Sequence, residues 1–141
     1  EINFHDFLRE ICENMKVENK KIKFKVVKEI KSSGRSLQLK RGFVNLIENA
    51  IRYSEKVIVE LNTDSNNIIV DISDNGPSIP KNKYEDVFKP FFTLDPSRNK
   101  LKGESGLGMT VSRDIIRSHG GDITLSESSI GGLKVTVMLP I

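Results

Sequence analysis

Asn45 and Asn49 lie one helical turn apart, with Glu48, Arg52 and Tyr53 on the same arc of the stretch Phe43 to Tyr53. Phe43, Val44, Leu46, Ile47, Ala50 and Ile51 take the opposite arc. A solvated helix face is ordinarily built from Lys, Glu and Gln, whereas asparagine lowers helix propensity and is usually kept for caps and turns. The pattern reads either as a surface that meets a ligand or as a helix whose asparagines are incidental. The ligand chemistry it suits is a phosphate-bound Mg²⁺, which takes one or two oxygens from protein and the rest from water and phosphate. The amide oxygens of Asn45 and Asn49 fit that task. Arg52 can meet a phosphate oxygen, and Tyr53 can lay its ring against a base.

A second group of residues follows a strand. In Asp74-Asn75-Gly76-Pro77-Ser78-Ile79-Pro80 the glycine and prolines fix a tight loop, and Asp74 either caps that turn or offers a carboxylate acceptor to an exocyclic amine such as that of adenine. A third group is Gly103-Glu104-Ser105-Gly106-Leu107-Gly108-Met109, where glycines let backbone N–H groups approach an anion at a helix start. The segment before it, Thr93 to Ser105, is basic, rich in turn residues and without hydrophobic periodicity, which suits a phosphate lid.

The elements that position these groups are legible from periodicity. Phe4, Phe7, Leu8, Ile11 and Met15 share one face of a first helix over Asn3 to Met15, with Asn3 as its cap. Ile22 to Val26 alternates as a strand with lysines on its wet side, and the turn at Ser32-Ser33-Gly34 leads into the organising helix, Leu37 to Ser54. Val57 to Leu61 and Ile68 to Ile72 predict an antiparallel hairpin. Lys81 to Val87 reads as a short helix, followed by the aromatic knot Phe88-Lys89-Pro90-Phe91-Phe92. A helix to Ser118 with Val111, Ile115 and Ile116 on one side ends at His119-Gly120-Gly121, and Asp122 to Glu127 pairs with Lys134 to Leu139 in a terminal hairpin.

At 141 residues, 37% hydrophobic and 29% charged, the chain is sized and composed as one soluble globular domain. Lysines between Lys16 and Lys31 lack interleaved aromatics and a nucleic-acid motif, so they read as a wet strand face. The single Cys12 excludes an intrachain disulfide. No apolar run reaches transmembrane length, and a chain that begins at Glu1 reads as a domain cut from something longer.

Together the motifs resemble the ATP-binding catalytic domain of bacterial sensor histidine kinases, in the ATPase superfamily shared with gyrase and MutL, and most of all osmosensor-type kinases. Asn45 to Tyr53 resembles the family's N box, Asp74 to Pro77 its first glycine box, Phe88 to Phe91 its F box and Gly106 to Met109 its second glycine box. Gly131-Gly132 resembles a glycine pair that commonly precedes the last strand. The resemblance covers nearly the whole chain.

It implies an α/β fold, a two-layer α/β sandwich of the Bergerat type, with a mixed sheet packed on helices and a flexible ATP lid. The whole of residues 1–141 would be one catalytic domain, with dimerisation, phosphoacceptor and sensor parts upstream. By the same resemblance Asn45 and Asn49 serve Mg²⁺ and the phosphates, Arg52 a phosphate, and Tyr53 the adenine or ribose. Asp74 takes the adenine amino group, Gly76 gives the base room, Gly106 and Gly108 receive phosphates, and Ile79 and Leu107 are further nucleotide contacts. Arg98 is a γ-phosphate candidate. The implied partners are ATP, the protein's own histidine-containing dimerisation domain and a response regulator, with no nucleic acid, in a cytoplasmic domain of an inner-membrane kinase.

Gyrase-like relatives carry a glutamate where Asn45 stands, and asparagine cannot take a proton from water. The resemblance therefore implies a site that positions ATP for an outside nucleophile, with His119 in a structural His-Gly-Gly and His5 at the domain's start. Two residues depart from the family pattern, Ser78 and Glu104, where glycine is usual. Each would weaken the expected nucleotide site, Ser78 by restricting the backbone close to the nucleotide and Glu104 by placing negative charge near phosphates unless Lys100 or Lys102 offsets it or the loop turns it outward. The alternatives are a degenerate module of the same fold that no longer uses ATP, and an anti-sigma-type serine kinase.

Overall fold

The computed structural model describes residues 2–16, 21–90 and 108–141. Phe91, Arg98, Lys100, Lys102, Glu104, Gly106 and Leu107 lie outside the described residues.

Chain order is β1 (Ile2–Asn3), α1 (Phe4–Asn14), β2 (Lys21–Val26), β3 (Lys31–Ser32), α2 (Ser36–Tyr53), β4 (Lys56–Thr63) and β5 (Asn67–Asp74). Two single 3-10 turns follow, Lys81–Lys83 and Asp86–Phe88, then α3 (Gly108–Ser118), β6 (Asp122–Glu127) and β7 (Leu133–Pro140). The main sheet has the order β2-β4-β5-β7-β6. β2 pairs with β4 in parallel, because the chain crosses back through α2, and every other pairing in this sheet is antiparallel.

Strict alternation gives the sheet one wet and one dry face. Val57, Val59 and Leu61 of β4, Ile68, Val70 and Ile72 of β5, and Val135, Val137 and Leu139 of β7 are buried in one core with Phe4, Leu8 and Ile11 of α1, Leu39, Phe43, Leu46 and Ile47 of α2, and Met109 and Ile116 of α3. The intervening strand residues are half-buried or exposed, so helices cover one face only. This is the expected two-layer α/β sandwich with a mixed sheet.

Three local readings are corrected. Lys81 to Val87 is not one helix but the two 3-10 turns, joined through Tyr84 and Glu85. Ser32 is not in a simple turn: Lys31–Ser32 pairs antiparallel with Ile2–Asn3 as a small second sheet. On α3 the inward positions are Met109, Ser112 and Ile116, with Ile115 partly buried against the core, while Val111 is half-buried. Ser112, not Val111, takes the fully buried position beside α2, where its Oγ donates to the Gly42 carbonyl at 2.8 Å. The bond satisfies a hydroxyl that water cannot reach.

Helix ends follow local chemistry. Asn3 Oδ1 accepts from the Asp6 backbone N–H at 3.3 Å, the predicted cap of α1. At the end of α3, Gly120 has φ +84°, and the N–H groups of Gly121 and Gly120 donate to Ile116 and Arg117 carbonyls, each at 3.0 Å, in a Schellman arrangement. His119 joins the far ends of α2 and α3. Its Nδ1 lies 2.9 Å from the Ile115 carbonyl and its Nε2 accepts from the Arg35 backbone N–H at 3.1 Å, which assigns the neutral tautomer with the proton on Nδ1.

Candidate functional site

α2 carries the site because its apolar arc is committed to the core and its other arc cannot be. Asn45 and Asn49 are half-buried there, Glu48 is exposed, and Arg52 and Tyr53 close the helix, both half-buried. Arg52 NH2 reaches back one turn to Glu48 Oε1 at 3.1 Å. Ser54 then ends α2 by donating its hydroxyl to the Ala50 carbonyl at 2.6 Å.

Asp74 is the last residue of β5 and is 8% exposed. Its Oδ1 accepts from the backbone N–H of Gly76 at 2.9 Å and of Leu133 at 3.2 Å, and its carbonyl accepts from Gly132 N–H at 3.1 Å. Burial pushes the Asp74 carboxyl above its ordinary range, outweighing the bonds from Leu133 and Gly76 that pull it down. Among the described residues none donates to Oδ2, which leaves that oxygen as acceptor for an outside donor.

Two glycines hold this carboxylate by what they lack. A Cβ on Gly132 would run into Asp74 Oδ1 and sit 2.6 Å from the Asp74 carbonyl oxygen. A Cβ on Gly76 would collide with the Tyr53 carbonyl oxygen, so the loop after β5 seats directly on the end of α2. That contact places Tyr53 beside the Asp74 loop. Asn75 seals the same junction: its Oδ1 accepts from the backbone N–H groups of Glu55 and Lys56, both at 3.0 Å.

At the other side Gly108 opens α3, and a Cβ built on it would stand 3.8 Å from Asn45 Cβ. Ile79 is partly buried against the core, and Ser78 is exposed. The structure thus brings Asn45 to Gly108 and Tyr53 to Gly76, on opposite ends of the polar arc of α2. Arg98, Gly106 and Leu107 lie outside the described residues.

Sequence reasoning missed three supports. Gly132 was legible only as half of a glycine pair, and its partner Asp74 lies far away in sequence. Asn75 looked like turn punctuation. The third is a cluster under the F box: Thr110 Oγ1 donates to the Phe88 carbonyl at 2.7 Å, and the Arg113 guanidinium lies 4.1 Å from the Phe88 ring centroid. Arg113 also pairs with Glu85 at 2.7 Å and with Asp122 at 3.1 Å, and Arg117 reaches Asp122 at 3.1 Å. Burial alone would raise the Asp122 carboxyl, but bonds from Arg117, the Ile123 N–H and Arg113 hold it down at about 2.

A mixed sheet with helices on one face, whose central helix turns a polar arc toward a strand-end carboxylate on one side and a glycine helix start on the other, has the build of a two-layer α/β ATPase domain. The chain belongs to the histidine kinase-, DNA gyrase B- and HSP90-like ATPase family, whose profile matches residues 34–141. It is 35% identical over 108 residues to the sensor histidine kinase GtrS of Pseudomonas aeruginosa, covering 76% of this chain and 22% of GtrS. It is 32% identical over 104 residues to the sensor histidine kinase CpxA of Escherichia coli, covering 73% of this chain and 23% of CpxA. The catalytic domain of histidine kinase ThkA, solved free of nucleotide, superimposes with a TM-score of 0.84 at 26% identity, over 99% of this chain and 93% of that one. The chain spans less than a quarter of the length of GtrS and CpxA. Among the described residues no helix is long and apolar enough to cross a membrane.

Proposed function

We propose that residues 1–141 form one catalytic domain that binds Mg²⁺-ATP and presents its γ-phosphoryl group to a histidine on a separate helical dimerisation domain, from which the group passes to a response regulator. The observation that carries this reading is the approach of Gly108, first residue of α3, to Asn45. A helix start that comes up against Asn45, with Asn49 one turn further along the same arc of α2, suits polyphosphate with a hard cation, since helix N-termini offer N–H groups to anions and amide oxygens serve Mg²⁺.

The residues fit both groups. Asn45 and Asn49 would hold Mg²⁺ by their amide oxygens, and among the described residues no cluster of three His, Cys, Asp or Glu side chains offers a rival site. When bound, the ion would neutralise phosphate charge. Asp74 Oδ2 would accept from the adenine amine, Tyr53 would lie on the adenine or ribose side, and Gly76, Ile79 and Leu107 would line the base. Gly106 and Gly108 would donate backbone N–H groups to phosphate. Arg52, now paired with Glu48, would share its guanidinium with a phosphate oxygen. Arg98 is proposed for the γ-phosphate.

Asn45 holds and does not deprotonate, so water is not activated here and the acceptor must bring its own nucleophile. His119 is ill suited to that role because both of its ring nitrogens are already engaged. This chain should therefore bind ATP without phosphorylating itself. The relatives named above are sensor kinases, which supports a cytoplasmic place beneath a membrane for this domain. Calorimetric titration with a non-hydrolysable ATP analogue, with and without Mg²⁺ and alongside Asp74→Asn, tests the reading. Saturable, Mg²⁺-dependent binding lost in Asp74→Asn is expected; a folded chain that binds no nucleotide at millimolar concentration would overturn it.

A further inference from the structure

The cluster around Arg113 has no part in the site as described, yet it joins the segment entering that site's far side to the helix that leaves it. Phe88 ends the second 3-10 turn, and α3 begins at Gly108. Two contacts tie the pair: the Thr110 hydroxyl on the Phe88 carbonyl at 2.7 Å, and the Arg113 guanidinium 4.1 Å from the Phe88 ring centroid. The Arg113 side chain is 12% exposed, and its guanidinium makes a two-pronged pair with Glu85, NH1 to Oε2 at 2.7 Å and NH2 to Oε1 at 3.3 Å. Its Nε is held by Asp122 at 3.1 Å, at the start of β6.

We propose that Arg113 is a positioning residue for phosphate binding: with Thr110 it fixes the first turn of α3 against the turn Asp86–Phe88, and so holds the Gly108 helix start at Asn45. This rests on the ATP reading above and adds to it a residue that touches no nucleotide. The rest of α3 is anchored otherwise, through Met109, Ser112 and Ile116 in the core and the Ser112 bond to Gly42. The base end of the site, at Asp74, Gly132 and Asn75, has no contact with the cluster. Loss of Arg113 therefore loosens the phosphate end and spares the base end. An arginine is needed because the planar fork serves Glu85 with two nitrogens and Asp122 with a third while its face covers a ring, which an ammonium cannot do.

The test compares ATP and adenosine on three variants of this chain. Arg113→Met keeps an apolar stem over Phe88, leaves Asp122 paired with Arg117, and leaves Glu85, which is exposed, in water. It should fold. Its ATP affinity should fall about tenfold, the factor that ~1.4 kcal/mol represents, while adenosine affinity by chemical-shift titration stays within about twofold. Arg113→Lys should recover only part of the loss. Thr110→Val, which removes the bond to Phe88 and keeps the shape, should show the same split and decides the matter if Arg113→Met does not fold. Equal losses for ATP and adenosine would mean a general structural role and overturn the proposal, as would no change for either ligand. If the unaltered chain binds neither ligand, the ATP reading itself fails and this inference falls with it.

Discussion

Gly132→Ala, set beside Gly131→Ala, separates two reasons for which a chain keeps glycine. At Gly131 φ is +105° and a Cβ would meet nothing within 4 Å. The cost there is backbone strain alone, ~1 to 2 kcal/mol for one residue in the left-handed region. At Gly132 a Cβ would overlap Asp74 Oδ1 and stand 2.6 Å from the Asp74 carbonyl oxygen and 2.8 Å from the Gly76 nitrogen. Two of these neighbours are backbone and cannot turn aside. Overpacking of this kind costs ~1 to 3 kcal/mol. Moving the carboxylate off the N–H groups of Gly76 and Leu133 forfeits two bonds to a charged acceptor, at ~1.5 kcal/mol or more each. The expected loss is therefore ~4 to 6 kcal/mol, a large part of the stability of a domain this size. Urea unfolding gives both losses from the shift in midpoint at unchanged slope, and ATP-analogue titration reads the site. Gly132→Ala should lose nucleotide affinity as well as stability, and Gly131→Ala should lose stability only. A Gly132→Ala chain within about 1 kcal/mol of the unaltered one, with its binding intact, would refute the geometry drawn around Asp74.

Three further outcomes are expected. Asp122 is held at about 2 in the folded chain against an ordinary 3.8, so its contribution is present above about pH 4 and is lost as pH falls toward 2; Asp122→Asn should flatten the acid limb of the stability profile in that window, and an unchanged limb would contradict the pairing. Gly42→Ala places a Cβ at ordinary contact with Ile115, 3.5 Å from Cγ2, inside a helix where alanine is favoured, so stability should rise by ~0.5 to 1 kcal/mol in denaturant unfolding; destabilisation would show that α2 and α3 lie closer than described. His119→Phe removes the acceptor of the Arg35 N–H and should cost ~1 to 2 kcal/mol while ATP-analogue affinity is unchanged; phosphohistidine on this chain after incubation with ATP would refute its structural role.

The long elements were legible because each repeats one period over several turns or pleats. The apolar arcs of α1 and α2 and the alternation of β4, β5, β6 and β7 leave little choice once a core must form. β1 and β3 were missed because two residues carry no period, and they exist through pairing with each other. The run from Lys81 to Val87 breaks into two 3-10 turns because it buries only Val87 and has no apolar stripe to bind a longer helix to the core. Val111 was placed inward by counting apolar residues, whereas the buried position beside α2 goes to Ser112, whose hydroxyl finds its acceptor in the Gly42 carbonyl of another helix. In the site, Asn45, Asn49 and Asp74 stood out because their types were unusual for their elements. Gly132, Thr110 and Arg113 did not, because their meaning lies in partners supplied by other elements: Asp74 for Gly132, Phe88 for Thr110, and Phe88, Glu85 and Asp122 for Arg113.

The buried carboxylate of Asp74 has a consequence for the history of such a chain. Its pKa is raised, so at neutral pH the charge itself costs the fold, and a neutral isostere that still accepts the Gly76 and Leu133 N–H bonds, asparagine, would serve it better. Selection for a ligand must then act against a standing pull toward loss. Once that selection relaxes, the carboxylate should drift away first. Gly132 and Gly76 would stay, because what excludes their side chains is backbone, the Asp74 carbonyl in one case and the Tyr53 carbonyl in the other. Descendants that have given up the ligand should carry the two glycines as relics around an absent acid.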